Sequence, residues 1–378
     1  MADRRACFIY STELDLYRYP DDSPFKSTRA MITRKIVASM GLLSGADRGE
    51  CPPERADRSV LERFHTPRYL DAIQAAQAGE LSAEAFQMGL GTPDCPVFAG
   101  MYDYAALAAG ATVTGARLIL GGGAHVAFNP SGGYHHAAAE RASGFCYVND
   151  IALACMTLAE AGMKVMFIDV DVHHSDGVQG AFYERDDVLV VSFHESGKTL
   201  FPGTGFEDEI GVGRGRGYTV NVPLPVGTYD EAYLHAFREI ALPLVHAYAP
   251  DVLVIEFGMD ALAGDPLAHL NLTNNAYADI AELAMSFGKP ILATGGGGYN
   301  VENTTRGWAR LWGVFCGEES GHDLSIGLGG VMLSSTEWQG GLRDRALLTH
   351  SGQRRSVDAA VSSTVEQVKR LVFPVHGL

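Results

Sequence analysis

The chain has 378 residues, 47% of them hydrophobic and 20% charged, with 45 acidic side chains against 29 basic ones and a net charge of −16. Such a composition can bury a large core, and the negative excess opposes contact with nucleic acid or an anionic membrane while favouring cationic ligands. No stretch has the Lys/Arg density of a nucleic-acid patch, no run of about 18 apolar residues could span a bilayer, and the start MADRRACFIYSTELD has no apolar run of a secretory signal.

A strand is expected over Tyr218–Pro223, and short apolar runs predict strands over Ala6–Tyr10, Lys164–Val170, Val188–Phe193, Val252–Phe257 and Pro290–Thr294. Their near-continuous apolar character fits strands covered on both faces. Apolar residues at three-to-four spacing predict helices over Ala105–Leu120, Val148–Ala161, Tyr229–Tyr248 and Ala276–Phe287, and a shorter one over Val361–Leu371. Alternating strands and helices imply an α/β fold, a central mostly parallel sheet with helices on both faces. Glycine clusters at 121–123, 131–133, 211–217 and 295–298 mark tight loops. The run at 211–217 is no dinucleotide loop, because it leads into a strand rather than a helix. The six cysteines, Cys7, Cys51, Cys95, Cys146, Cys155 and Cys316, form no CxxC pair. Reduced, mostly buried thiols and a cytoplasmic location are expected.

Polar groups follow four of the strands: Asp171-Val-His173-His174, His194, Gly258-Met-Asp260 and Gly295-Gly-Gly-Gly-Tyr299. Ligands of open α/β sheets bind beyond the carboxyl ends of the strands, so four such coincidences point to one site. Asp171 and His173, two apart on an extended segment, can share a metal ion, and Asp260 can add a third ligand, leaving a position open for water and substrate. Taken alone, an Asp-X-His is more often a solvated loop. The pair His135-His136 contains a candidate general base, with Asp169 and Asp176 as candidate orienting partners; alone, the pair reads as two ordinary loop histidines. Tyr299 projects from a glycine turn and could donate to an oxyanion, or simply pack. Neither a GxSxG elbow nor a Walker loop occurs.

Several segments together resemble the signatures of class I histone deacetylases in the arginase/deacetylase superfamily: Ser131–Ala137 with Ala142–Asp150, Ile168–Val178, Phe201–Gly205, Asp260–Pro266 and Gly295–Asn300. The resemblance spans about residues 6–315 and implies one catalytic domain over 1–378, with 345–378 an unassigned tail. It implies a bacterial-type, zinc-dependent amide hydrolase that removes an acyl group from lysine or a similar amine. By resemblance, Asp171, His173 and Asp260 hold one Zn2+. His136, paired with Asp176, is the general base and acid, and His135, paired with Asp169, acts electrostatically as the less basic of the two. Tyr299 stabilises the oxyanion. Gly144, Phe145, Phe201 and Leu267 line a substrate tunnel and Asp94 holds the substrate backbone at its rim. Asp169, Asp171, His173, Ser192 and Phe193 form a structural potassium site.

Iron(II) also suits two carboxylates and an imidazole. Arginases of the superfamily use two further carboxylates where this chain has Ser175 and Gly258, so one ion is expected. Pro93, Ser175 and the Glu195–Leu200 loop depart from the family pattern, mostly near the rim, where substrate choice is made. The same chemistry on a small amide such as an acetylpolyamine is the alternative, and a catalytically silent scaffold is a further rival.

Overall fold

The computed structural model describes residues 5–318 and 341–378. Among the described residues eight strands form one sheet: β1 Ala6–Ile9, β2 Arg48–Cys51, β3 Val126–Asn129, β4 Val165–Asp169, β5 Val188–Glu195, β6 Thr219–Leu224, β7 Val252–Glu256 and β8 Ile291–Thr294. Their order is β2-β1-β3-β8-β7-β4-β5-β6, and every neighbouring pair is parallel. All carboxyl ends therefore lie along one edge. The helices are α1 Thr28–Ser39, α2 Arg58–Leu61, α3 Pro67–Gln77, α4 Ala83–Gln87, α5 Met101–Leu120, α6 Asp150–Glu160, α7 Asp176–Phe182, α8 Asp230–Tyr248, α9 Asn274–Ser286, α10 Val301–Phe315 and α11 Ser351–Val372.

Successive strand residues feed opposite faces, as a period of two requires. In β4, Met166 and Ile168 join a core with residues of α1, α8, α9, α10 and α11, while Val165 and Phe167 join one with residues of α5, α6 and α7. Both faces are thus covered, which is why five of the predicted strands read as nearly unbroken apolar runs. A third core, built on α3, α5, Tyr19, Tyr134 and Tyr147, lies apart from these two.

Two strands are not among those predicted. β3 is only four residues, Val-Ala-Phe-Asn, behind a glycine turn, and β2, Arg-Gly-Glu-Cys, is a half-buried edge strand with no apolar pattern. The predicted helix over Val148–Ala161 begins two residues later, because the Asn149 side chain accepts from Ala152 N and caps it. The predicted tail helix is twice as long as its apolar run. It buries Val357, Val361, Val365, Val368 and Val372 as one stripe and packs against α8 and β6. The 211–217 loop contains a short 3-10 turn and enters β6. All six cysteines are free thiols, four buried and two half-buried.

Candidate active site

Five strands deliver side chains to the carboxyl edge. The loop after β3 carries His135 and His136, and its shape is fixed from below by one carboxylate. Buried Asp150, the first residue of α6, accepts from Gly133 N at 3.0 Å, Tyr134 N at 2.7 Å and Thr112 Oγ1 at 2.5 Å. Asn149 adds its amide, donating to His135 O and Ala137 O at 3.3 and 2.9 Å. Buried His65 in turn accepts from Asn149 N at 3.0 Å.

Asp171, His173 and Asp260 converge as the spacing predicts, with one ligand atom of each within 4.8 Å of the others and all three buried. His173 Nδ1 lies 3.1 Å from both Asp171 Oδ1 and Asp260 Oδ2. The remaining carboxylate oxygens are held by the backbone: Gly297 N donates to Asp171 Oδ2 at 2.7 Å and Val172 N to Asp260 Oδ1 at 2.9 Å. The glycines here are required. A Cβ on Gly258 would stand 1.9 Å from Asp171 Oδ2, and one on Gly297 the same distance from Asp260 Oδ2. A buried cradle of two carboxylates and one imidazole, kept open by glycines, fits a divalent cation.

The two histidines sit side by side, Nε2 to Nε2 at 3.0 Å. His136 Nδ1 meets Asp176 Oδ1 at 2.7 Å. His135 Nδ1 meets Asp169 Oδ2 at 2.8 Å and also Glu256 Oε2 at 3.1 Å. Burial by itself would lower the pKa of His135, but Glu256, Asp169 and Asp171 outweigh it and raise that pKa well above 6.5. Burial and the neighbouring His135 push His136 down to about 4. His135 faces more carboxylates than its partner, a direction that runs against the expectation that it is the less basic of the two. Glu256 went unmarked in the sequence, since it reads there as one residue inside the apolar strand Val252–Phe257.

Tyr299 N donates to Asp265 Oδ2 at 2.8 Å, which sets the turn after the glycines. The Tyr299 ring lies 6.3 Å from that of His173, and burial pushes its phenol well above 10, so the hydroxyl stays a donor. Arg29, also unmarked in the sequence, donates to Gly296 O and Gly298 O at 2.9 and 2.7 Å and braces the same loop.

Of the substrate-lining expectations, Phe201 lies with its ring 5.0 Å from that of His136, and Phe145 with its ring 5.6 Å from that of Tyr299. Gly144, at φ 52°, passes so close that a Cβ would lie 2.4 Å from His136 Cδ2. Gly144 N donates to Asp94 Oδ2 at 3.2 Å. Leu267 is half-buried, and its N–H donates to Asp265 Oδ1. Around the expected potassium site, Asp169 Oδ1 accepts from Asp171 N at 2.9 Å, and Ser192 Oγ lies 2.8 Å from His194 Nδ1. Phe193 is buried beside it in β5. Among the described residues no helix is long and apolar enough to cross a membrane.

Comparison with known proteins gives a consistent picture. The model of the histone deacetylase domain matches residues 23–315. The acetoin utilization protein AcuC of Bacillus subtilis is 40% identical over 329 residues, 85% of this chain and 84% of that protein. Histone deacetylase 3 of Oryza sativa subsp. japonica is 41% identical over 322 residues, 84% of this chain, which spans only 62% of that longer protein. The crystal structure of a histone deacetylase homologue from Aquifex aeolicus superposes with a TM-score of 0.83 at 30% identity, covering 97% of this chain and all of the other.

Proposed function

The chain belongs to the histone deacetylase family and is a hydrolase of the deacetylase type, and from that premise we propose that it removes an acyl group, chiefly acetyl, from lysine side chains. The observation that carries this reading is the buried Asp171, His173 and Asp260 cluster lying within reach of two carboxylate-paired histidines. Those three residues would hold one zinc ion, or iron(II), which when bound supplies Lewis-acid polarisation of the amide carbonyl and a more acidic water.

The rest is the work of the chain's own groups. His136 takes the proton of the attacking water at Nε2, the nitrogen opposite Asp176, and returns a proton to the departing amine. A base must be neutral to accept, and His136 is the member of the pair whose protonated form is disfavoured. His135 stays protonated among its carboxylates and stabilises the negative charge that develops nearby. Tyr299 donates its hydroxyl to the carbonyl oxygen as that atom becomes an oxyanion. Phe145, Phe201 and Leu267 flank the extended alkyl chain of the substrate, Gly144 leaves room for it, and Asp94 accepts from the substrate backbone. Asp169, Asp171, His173, Ser192 and Phe193 would hold a structural potassium ion. The whole chain works as one catalytic domain in the cytoplasm, without direct contact to nucleic acid or membrane.

A net charge of −16 suits a cationic substrate of either kind, an acyl-lysine peptide or an acetylpolyamine. Initial rates on acetyl-lysine peptides and on small acetamides, acetylpolyamines included, test the proposal, with elemental analysis of the dialysed protein. Peptide turnover with one divalent ion per chain, abolished by chelation and restored by zinc, is expected. A preference for acetylpolyamines would move the substrate to the alternative. A metal-loaded protein silent on every amide would reduce the chain to a scaffold, and two tightly held transition ions per chain would end the single-ion reading.

A further inference from the structure

Glu256 ends β7, directly opposite Asp169 of β4 in the parallel register. Paired residues on neighbouring strands point their side chains to the same face, so two carboxylates meet at one point of the floor. Both are fully buried. Asp169 is well satisfied, by Asp171 N on one oxygen and His135 Nδ1 on the other. Glu256 is not, because neither of its oxygens has a hydrogen-bond partner among the described residues. Its Oε2 lies 3.1 Å from His135 Nδ1, while the aligned hydrogen bond from that nitrogen goes to Asp169. On the other side Gly296 hems it in, where a Cβ would stand 2.8 Å from Glu256 Oε1.

A buried carboxylate facing a second carboxylate costs the fold, and a neutral side chain of the same shape would cost less. Expense of this kind is characteristic of groups kept for function rather than stability. We propose that Glu256 is a positioning residue for the deacylation reaction, the second carboxylate of a clamp that, with Asp169, fixes the His135 imidazole by its Nδ1 edge and presents Nε2 to the reacting atoms. This rests on the reading that His135 and His136 face the reacting amide. Glu256 touches neither substrate nor the Asp171, His173 and Asp260 cradle in this role and acts only through His135.

The test is Glu256→Gln, which keeps the shape and removes the charge. The expected result is a kcat lowered about tenfold, part of the 10²–10⁴ range for the whole acid–base contribution, with KM unchanged and thermal stability equal or higher. In the His135→Ala background the same substitution should change kcat no further, since coupled residues are non-additive. A wild-type kcat in Glu256→Gln, or a full tenfold loss persisting without His135, overturns the proposal. Should Glu256→Gln fail to fold, Glu256→Asp draws the carboxylate back from Nδ1 and should show the same loss, with wild-type kcat again the overturning result. A readout independent of turnover is the ring Nδ1 proton resonance of His135, which should move on Glu256→Gln. If the wild type hydrolyses no amide, the proposed function fails, and this resonance still decides the clamp, an unmoved signal sinking it. Loss of a second tightly bound divalent ion in the variant would also overturn the clamp, making Glu256 an ion ligand instead.

Discussion

Asp171, His173 and Asp260 stand buried on a floor where their carboxylates and imidazole are held by other groups, whereas Phe201, Leu267 and Asp94 stand on a rim that water reaches. On the floor, backbone donors from three loops grip the carboxylates, glycines 258 and 297 leave no room for a Cβ, and His65, Asn149 and Asp150 hold the histidine loop from behind. On the rim, Phe201 is 44% exposed and its flanking loop is secured mainly by turn hydrogen bonds. A floor of this kind is preorganised, so its groups need not rearrange as charge develops. A rim of this kind can differ between proteins without disturbing the chemistry beneath. Substitutions on the floor should therefore act on kcat, and those on the rim on KM.

The largest effect expected is at the histidine pair. His136→Ala should lower kcat by at least the 10²–10⁴ of general acid–base transfer, and by more than His135→Ala does. Carboxylates on His135 favour its protonated form, leaving His136 as the neutral acceptor. Both variants should keep the ion of the Asp171, His173 and Asp260 cradle, to which neither residue belongs. The check is kcat of each metal-loaded variant on one acetyl-lysine peptide. A larger loss for His135→Ala would exchange the two roles, and loss of metal from either would redraw the ligand set. Next in size is Tyr299→Phe, with kcat lowered about 10²–10³, the range for one oxyanion donor, and KM retained. Near-normal kcat would leave Tyr299 a packing residue.

The floor and the rim were unequally legible in the sequence. Asp171, His173 and Asp260 could be found because strands that end at one sheet edge and are followed by polar residues are a readable pattern, and four of the predicted strands carry that signal. Glu256 and Arg29 could not. The first sits inside an apolar run and matters only because the register places it against Asp169; the second reaches the site from a helix more than 250 residues away in the chain. β2 escaped because Arg-Gly-Glu-Cys carries no apolar run, and β3 because its short Val-Ala-Phe-Asn segment lies between two glycine-rich loops. The rim was named through resemblance alone, since no spacing rule indicates which loops fold over a pocket.

The support beneath the floor has its own pH signature. Burial lowers the pKa of His65 from 6.5 to about 4, so folding favours its neutral form. The unfolded chain then binds more protons between those values. The stability this contributes is complete above pH 6.5, declines as pH falls, and is gone near pH 4. Between pH 7.5 and 5 the loss should be about 2 kcal/mol. His65→Gln keeps an acceptor for Asn149 N and should flatten this part of the profile. Denaturant unfolding of both proteins at the two pH values measures it, and equal slopes would mean that His65 ionises freely in the folded state.

The smallest effect tests the rim itself. The Phe201 ring packs edge-on to His136 at 5.0 Å and faces His173 at 6.3 Å, yet nearly half of it is open to water. Complete burial of such a side chain is worth about 1.5–3 kcal/mol. A ring already half-covered in the free protein can gain only part of that from a bound alkyl chain, about 1 kcal/mol, or roughly fivefold in affinity. Phe201→Ala should accordingly raise KM for acetyl-lysine peptides about fivefold while leaving kcat within twofold, because the ring donates and accepts nothing. The variant separates the two regions cleanly: Tyr299→Phe lowers kcat at constant KM, and Phe201→Ala does the converse. Measured kcat and KM on one peptide decide it. A loss of kcat comparable to that of the histidine variants would mean that the ring shields the reacting atoms from water, which would place Phe201 with the floor and not with the rim.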